Sequence, residues 1–299
     1  MNEHTHPHSV PESGKRLAIV ILLNFIITAA EVVGGIISGS LSLLSDALHN
    51  FSDGIAVIIA WIAIRLSIRP RSERHTFGLK RAQVLAAVVN AAALIAISMY
   101  LFVEAWQRFY DPQAIGGVIM TSVATIGLTA NVIGTWLLHR GSKQNMNLKA
   151  AYLHLFSDAI SSIGVILGGL AITFWNLYWI DPVLTILIGL YVLKESLTIL
   201  WRSLHMFMLA APEELSLSEV REAILSVPGV VGIHHIHLWE VAEDDVHFEA
   251  HIEVPDQPLH DAEIIRHAIE KTLHDLFEIQ HVTLQIEPVN GECATAALP

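Results

Sequence analysis

The sequence predicts an all-α bundle of six membrane-spanning helices followed by a C-terminal α+β domain. The first indication is composition: 53% of the 299 residues are hydrophobic and 15% are charged, whereas soluble globular proteins carry about 25% charged residues. The second is charge, which changes sign along the chain. Residues 1–204 contain 14 Lys and Arg against 11 Asp and Glu, while residues 205–299 contain 3 against 18. The third is the apolar pattern, which changes at the same point from long runs to short amphipathic segments.

Six apolar stretches precede residue 205, and each is long enough to cross a bilayer. A helix needs about 20 predominantly apolar residues to span the hydrocarbon core. We therefore predict a multi-pass protein in the lipid bilayer, with both ends of the bundle on the same side. The stretches are residues 17–37, 41–64, 84–102, 116–138, 148–173 and 182–204.

Lys and Arg residues predict which side of the membrane is cytoplasmic. Twelve of them lie on one side of the predicted membrane bundle, at the ends of the apolar stretches and in the loops between them. On the opposite side, only Arg108 occurs. Because short cytoplasmic loops collect Lys and Arg, we expect both termini and the C-terminal domain to be cytoplasmic. No convincing cleavage site follows the first stretch, so we expect it to be retained. His4, His6 and His8 before it belong to a polar tail that either collects metal ions or is disordered.

The region after residue 208 has the pattern of a small α+β domain. Its predicted elements follow the order αββαβ, which suits helices packed on one face of a sheet. We predict a tail at 1–14, a transmembrane domain at 15–208, a C-terminal cytoplasmic domain at 209–290 and a disordered end at 291–299. The predicted elements are helix 213–227, strands 233–241 and 246–254, helix 259–277 and strand 281–287.

Charge and cysteine content exclude several classes of function. The formal net charge of −12 argues against a nucleic-acid partner, because such surfaces need clustered Lys and Arg. Cys293 is the single cysteine, which excludes a disulfide framework and a thiolate metal cluster within one chain. The 17 histidines equal Lys plus Arg in number, and this unusual ratio indicates metal chemistry.

Two of the predicted spans carry the same pattern, H-x-F-S-D. It occurs at His49–Asp53 and again at His154–Asp158. A spacing of four residues places His and Asp on one helical face, and ionisable side chains within a bilayer are costly. One such pair is as readily a packing group as a ligand pair. Two identical pairs on separate spans predict one shared metal site formed by His49, Asp53, His154 and Asp158.

The ligand types indicate which ion this site binds. Two imidazoles and two carboxylates suit the tetrahedral N/O coordination of Zn²⁺, whereas Mg²⁺ and Ca²⁺ prefer oxygen and Cu⁺ prefers sulfur. The two carboxylates also balance the charge of one divalent ion. Because ligands must be deprotonated to bind metal, metal and protons compete, and proton-coupled exchange follows as a hypothesis. Ligand type leaves Cd²⁺, Fe²⁺ and Co²⁺ open as alternative cargoes.

Three more polar side chains lie on related faces of the first two spans. Asp46 precedes His49 by one turn and is either a ligand where ions enter or a polar group near the helix start. Asn24 and Glu31 are seven residues apart and share a face. For these two, lining the ion path and forming interhelical hydrogen bonds are equal alternatives.

Several ordered motifs together resemble the cation diffusion facilitator family of metal transporters, in particular its bacterial zinc-transporting members. In the membrane region the resemblance rests on three segments, and in the C-terminal region on two. It covers nearly the whole chain after about residue 14. The segments are SLSLLSDALHNFSD at 40–53, FGLKRAQVLAAVVN at 77–90, AYLHLFSDAISSIGV at 151–165, PGVVGIHHIHLW at 228–239 and HVTLQIEP at 281–288.

The resemblance implies a homodimer in a bacterial inner membrane that exchanges cytoplasmic Zn²⁺ for H⁺. It also implies a second metal site in the cytoplasmic domain, formed by His234, His251 and Glu287 with His260 as a further candidate. Zn²⁺ would be the cargo at the first site and a structural or regulatory ion at the second, where it would draw two acidic domains together. Gln285 departs from the family pattern and puts a second metal there in doubt.

Strand alternation adds an expectation for the neighbouring histidines. In a regular strand, His235 and His237 share one face and His234 points to the other. His235 and His237, like His247 and His281, are therefore either further ligands or solvated strand residues.

Two other functions use the same residues. One is a membrane-bound metalloenzyme, since zinc with an open coordination position can activate water. Four protein ligands close the site, however, and no HExxH motif accompanies it, so we expect no enzyme. The other is a zinc sensor that its spans only anchor in the membrane. That function gives no role to the intramembrane carboxylates of Asp53 and Asp158.

Overall fold

The computed structural model describes residues 10–289 except 68, 71, 140–145, 243 and 244. The polar tail with His4, His6 and His8 and the predicted disordered end 291–299 lie outside the described residues. The chain divides into two compact units. Of the described residues, one unit contains those up to 59 and within 89–199, and the other contains those within 60–88 and from 200 to 289.

Long apolar helices form the membrane region. In the part of the chain described, five of them meet the length and hydropathy expected of a membrane span, and the apolar part of the first, Leu22–Ser38, is shorter. A helix satisfies all its backbone hydrogen bonds internally, which a bilayer requires. These helices confirm the predicted bundle. They are α1 Val10–Ser38, α2 Leu41–Ser67, α3 Ala82–Tyr110, α4 Gly117–His139, α5 Met146–Trp175 and α6 Ile180–Phe207.

The largest difference from the predicted boundaries is at the end of α3. The sequence predicted an end at residue 102, where charged side chains begin, but the helix continues to Tyr110. Glu104 and Arg108 occupy one face at a spacing of four residues, and Arg108 Nε lies 3.6 Å from Glu104 Oε1. An ion pair at this spacing stabilises a helix by about 0.2–0.5 kcal/mol, so it contributes to the helical extension beyond the apolar run.

Small residues bring α4 and α5 together. A Cβ added at Gly117 would lie 2.7 Å from the carbonyl oxygen of Gly169, so the two backbones are close enough to exclude any larger side chain. Small residues at helix interfaces permit such close packing in membranes. This contact positions α5, which carries half of the candidate metal ligands.

The C-terminal region forms a three-stranded sheet with the predicted element order αββαβ. β1 (Gly232–Ala242) and β2 (Asp245–Val254) are antiparallel, β2 and β3 (His281–Pro288) are parallel, and the strand order is β1-β2-β3. The core contains fully buried Phe248, Ile252, Ile269 and Leu273. The elements are α7 Leu217–Leu225, β1 Gly232–Ala242, β2 Asp245–Val254, α8 Leu259–Phe277 and β3 His281–Pro288.

Candidate functional site

The first group of candidate ligands lies where α2 and α5 approach each other. His154 Nε2 is 3.2 Å from Asp53 Oδ2 on α2 and 3.4 Å from Asp158 Oδ2 on its own helix. His49 Nε2 is 3.6 Å from the same Asp53 oxygen, and the two imidazole centroids are 5.8 Å apart. The structure therefore brings together the two histidines and the two aspartates of the H-x-F-S-D patterns.

The spacing of these atoms suits tetrahedral coordination. With metal–ligand bonds of about 2.0–2.1 Å, neighbouring ligand atoms of a zinc tetrahedron lie about 3.4 Å apart. Ligand atoms of His49, Asp53 and His154 all lie within 4.8 Å of one another, and Asp158 adjoins them through its contact with His154. This arrangement is suited to one divalent cation held by nitrogen and carboxylate oxygen.

Asp158 forms the buried end of the group. Its side chain is 3% exposed, and its Oδ2 makes no hydrogen bond to any described residue. A buried carboxylate oxygen without a hydrogen bond is unfavourable. A divalent cation beside His154 would stabilise this carboxylate directly.

Tyr191 of α6 adjoins the group and was not found by the sequence analysis. Its ring stands edge-on to His49 with the centroids 6.5 Å apart. Ser157, from the second H-x-F-S-D pattern, donates a hydrogen bond of 3.1 Å to the Tyr191 hydroxyl. An aromatic residue in an apolar helix carries no sequence signal of such a contact, because aromatic side chains are common there.

The second group of candidate ligands lies across the C-terminal sheet. His234 pairs with His251 in the β1–β2 register. His251 Nδ1 is 2.9 Å from Glu287 Oε1, and His234 Nε2 is 3.3 Å from Glu287 Oε2. One ligand atom from each of these three residues lies within 4.8 Å of the other two. These are three of the four residues expected from the resemblance.

Gln285 holds Glu287 in place. It pairs with His251 in the parallel β2–β3 register, and its Nε2 donates a hydrogen bond of 2.6 Å to Glu287 Oε1. That oxygen also lies next to His251. Gln285 therefore orients the carboxylate of this group without offering an imidazole nitrogen.

The fourth candidate, His260, lies apart from this group. It is exposed in the first turn of α8. The three-residue group does not include it.

The expectation of regular alternation in β1 is wrong. His235 has a φ of 51°, and the β1–β2 register shifts between His234 and His237. This is the geometry of a β-bulge, which adds a residue to one strand and re-aims its side chains. As a result the rings of both His234 and His235 contact His251, with centroids 5.2 and 4.9 Å apart.

A separate aromatic cluster surrounds His247 on β2. The His247 ring lies against His281, with centroids 4.3 Å apart, and against Trp239 at 5.5 Å. Burial, followed by the neighbouring His281, lowers the pKa of His247 below the usual histidine value. A neutral ring packed between aromatic groups has the character of a structural side chain.

Comparisons with known proteins agree with both regions. Residues 17–208 match the family described as the cation efflux transmembrane domain, and residues 212–289 match the cation efflux protein cytoplasmic domain. The chain is 40% identical over 286 residues to the zinc transporter ZitB of Pectobacterium atrosepticum, covering 95% of this chain and 88% of that protein.

A more distant relative and one solved structure complete the comparison. The chain is 34% identical over 287 residues to the cadmium, cobalt and zinc/H(+)-K(+) antiporter of Bacillus subtilis, covering 95% of this chain and 91% of that protein. The metal-bound C-terminal domain of the CzcD transporter from Cupriavidus metallidurans is 30% identical. The match covers 24% of this chain and 99% of that domain, and its TM-score is 0.23.

Proposed function

This chain belongs to the cation efflux family of membrane metal transporters, and from that premise we propose that it exports Zn²⁺ from the cytoplasm in exchange for H⁺. Its relatives are named as transporters, and the chain is a multi-span transporter and not an enzyme. The observation that carries the proposal is the group of two imidazoles and two carboxylates on α2 and α5, with contacts of 3.2–3.6 Å.

The cargo binds to His49, Asp53, His154 and Asp158. Two carboxylates neutralise one Zn²⁺, which makes the loaded site tolerable in a medium of low dielectric constant. Without the ion, the carboxylates repel each other and favour proton uptake. Protons and metal therefore alternate on the same atoms. The relatives named as a zinc transporter and as a zinc/H(+)-K(+) antiporter support this cargo and this counter-ion.

The C-terminal segment 209–290 serves as the cytoplasmic metal-responsive part, and segment 15–208 carries out transport. His234, His251 and Glu287 bind a regulatory Zn²⁺, and binding draws two copies of the acidic domain together in a homodimer. Residues 205–299 are far more acidic than the rest of the chain. This difference supports placing the C-terminal domain at the cytoplasmic entrance to the ion path, because negative potential concentrates divalent cations. The protein spans the inner membrane with both termini in the cytoplasm.

Transport by purified protein in proteoliposomes tests the proposal. With a pH gradient, we expect Zn²⁺ uptake by the wild type and a loss of at least tenfold in Asp158→Asn, which keeps the shape of the side chain but removes the ligand charge. Asp111→Asn is the matched control, since Asp111 is an exposed carboxylate just after α3.

Three results would contradict parts of the proposal. Absence of uptake by the wild type would exclude zinc transport. Uptake at the same rate with and without a pH gradient would exclude proton exchange. Equal rates for the wild type and Asp158→Asn would exclude the assigned site.

A further inference from the structure

Glu31 on α1 is a carboxylate buried in the membrane region, and the proposed ligand set does not use it. The residue has no exposed surface. Its Oε2 accepts a hydrogen bond of 3.0 Å from Asn50 Nδ2, and Asn50 directly follows the candidate ligand His49. The other oxygen, Oε1, makes no hydrogen bond to the described residues.

Among the residues that the structure describes, the charged neighbours of Glu31 are carboxylates. The carboxylates of Asp46 on α2 and Asp158 on α5 interact electrostatically with it. On α4, a Cβ added at Gly127 would lie 2.7 Å from Oε1. Among the described residues, no Lys, Arg or His side chain forms an ion pair with Glu31.

This environment does not suit a permanently ionised carboxylate. A lone negative charge in an apolar interior is so unfavourable that the group normally takes up a proton. The carboxylates of Asp46 and Asp158 strengthen that preference, because like charges disfavour ionisation. Entry of a divalent cation beside Asp158 would reverse the local field and favour proton release.

We propose that Glu31 holds one of the protons that the protein exchanges for metal, at a position separate from the metal ligands. This inference rests on the proposed function. When a divalent cation enters, the O–H bond of the Glu31 carboxyl group breaks, and the proton passes to water in the ion path. The electron pair of that bond remains on the oxygen, and the Asn50 amide donates a charge-assisted hydrogen bond to the new carboxylate.

Asn50 links the two positions physically. It lies between the candidate ligands His49 and Asp53 in sequence, and its amide contacts Glu31 on another helix. Asn24 on α1 approaches the same residue, with its Nδ2 3.5 Å from the Asn50 carbonyl oxygen. A change in the position of α2 on metal binding therefore reaches Glu31 through a direct contact.

The test counts the protons released per Zn²⁺ bound. Isothermal titration calorimetry of full-length protein in detergent, repeated in buffers of different ionisation enthalpy, gives this number. We expect Glu31→Gln to release about one proton fewer than the wild type and to bind Zn²⁺ within about threefold of its affinity. Glu31→Asp should restore the release. Glu104→Gln is the matched control, since it neutralises a carboxylate on α3 that contacts Arg108.

Transport assays separate this inference from the proposed function. If the wild type transports Zn²⁺ against a pH gradient and Glu31→Gln releases as many protons as the wild type, the inference is overturned and the transporter stands. If the wild type does not transport Zn²⁺, the proposed function fails instead. Should Glu31→Gln not fold, the Zn²⁺-induced infrared difference spectrum of the wild type and Glu31→Asp decides. The inference requires that a band of a protonated carboxyl group disappears from the wild-type spectrum when metal binds. The corresponding band of Glu31→Asp should lie at a different frequency.

Discussion

Asp181, at the start of α6, shows how much a single buried residue can organise. It is fully buried, and its carboxylate accepts hydrogen bonds from the hydroxyl groups of Ser40 and Ser42, both at 2.6 Å. It also accepts hydrogen bonds from the backbone N–H groups of Leu41 and Ser42, at 2.8 and 3.1 Å. These N–H groups belong to the first turn of α2, where no intrahelical partner exists. Asp181 thus caps the helix that carries His49 and Asp53.

Loss of this cap should destabilise the membrane region. Asp181→Ala removes the acceptor of four buried donors, and we expect it to lower the free energy of unfolding by about 2 kcal/mol or more. Thermal unfolding in detergent measures the change as a lower Tm. Asp111→Ala, at an exposed aspartate, should leave the Tm nearly unchanged, and equal Tm values for both variants would refute the capping role.

Some residues of the membrane region were predictable from the sequence, and others were not. The four candidate ligands on α2 and α5 were predictable because ionisable side chains in apolar spans are few and repeat one spacing. Tyr191 and Asp181 were not predictable, since their roles depend on which helix lies opposite. A hydrogen bond between residues 141 positions apart, such as Ser40 to Asp181, leaves no periodic signal in the chain.

At the scale of elements, β2 contains a histidine whose protonation state affects the sheet. His247 is 3% exposed, and its lowered pKa means that the folded state favours the neutral ring. The unfolded chain keeps the ordinary pKa of about 6.5. The unfolded state therefore binds more protons in mildly acidic solution, and the stability contributed by neutral His247 is present above pH 6.5 and decreases as the pH falls below it.

Hydrogen exchange checks this pH dependence. We expect protection factors of the β1–β3 amides, corrected for intrinsic exchange rates, to fall between pH 7.5 and pH 5.5 in the wild type and to fall less in His247→Gln. His267→Gln is the control, because His267 is 64% exposed. A wild-type pH dependence in His247→Gln would rule out this histidine as the cause.

The elements themselves were largely predictable, and their irregularities were not. Helix α8 follows the predicted bounds of 259–277, because its amphipathic period is regular and Pro258 precedes it. β1 departs from strict alternation at His235, where the bulge arises from pairing with β2. Three histidines within the four positions 234–237 give no indication of where such an extra residue will fall.

At the scale of the whole molecule, the loop between α2 and α3 belongs to the same compact unit as the C-terminal sheet. Lys80 Nζ lies 2.7 Å from Asp245 Oδ2, and the ring of Phe77 stands edge-on to His247 with the centroids 5.5 Å apart. An apolar cavity of about 630 Å³ lies beside these contacts, and Trp239 contributes to its wall. The loop is therefore a structural part of this unit.

A charge exchange tests the importance of the loop contact. Lys80→Glu and Asp245→Lys should each weaken it, and the double variant should recover most of the loss, with a coupling energy of about 1 kcal/mol. Thermal unfolding of the full-length variants in detergent provides the double-mutant cycle. If the losses of the two single variants simply add in the double variant, the pair does not interact energetically.

The sequence by itself determined the class of this protein, the number of apolar helices, the order of the C-terminal elements and the candidate transport residues. These follow from composition, periodicity and the spacing of rare intramembrane charges, all of which are local properties of the chain. Only the tertiary structure decided that Glu31 contacts Asn50, that Asp181 caps α2, that Gln285 orients Glu287 and that His235 forms a bulge. The Glu31 contact, the Asp181 cap and the bulge depend on which elements pack together, which is not a local property of the chain. The Gln285–Glu287 contact joins residues two apart, but their side-chain conformations are set in the folded sheet.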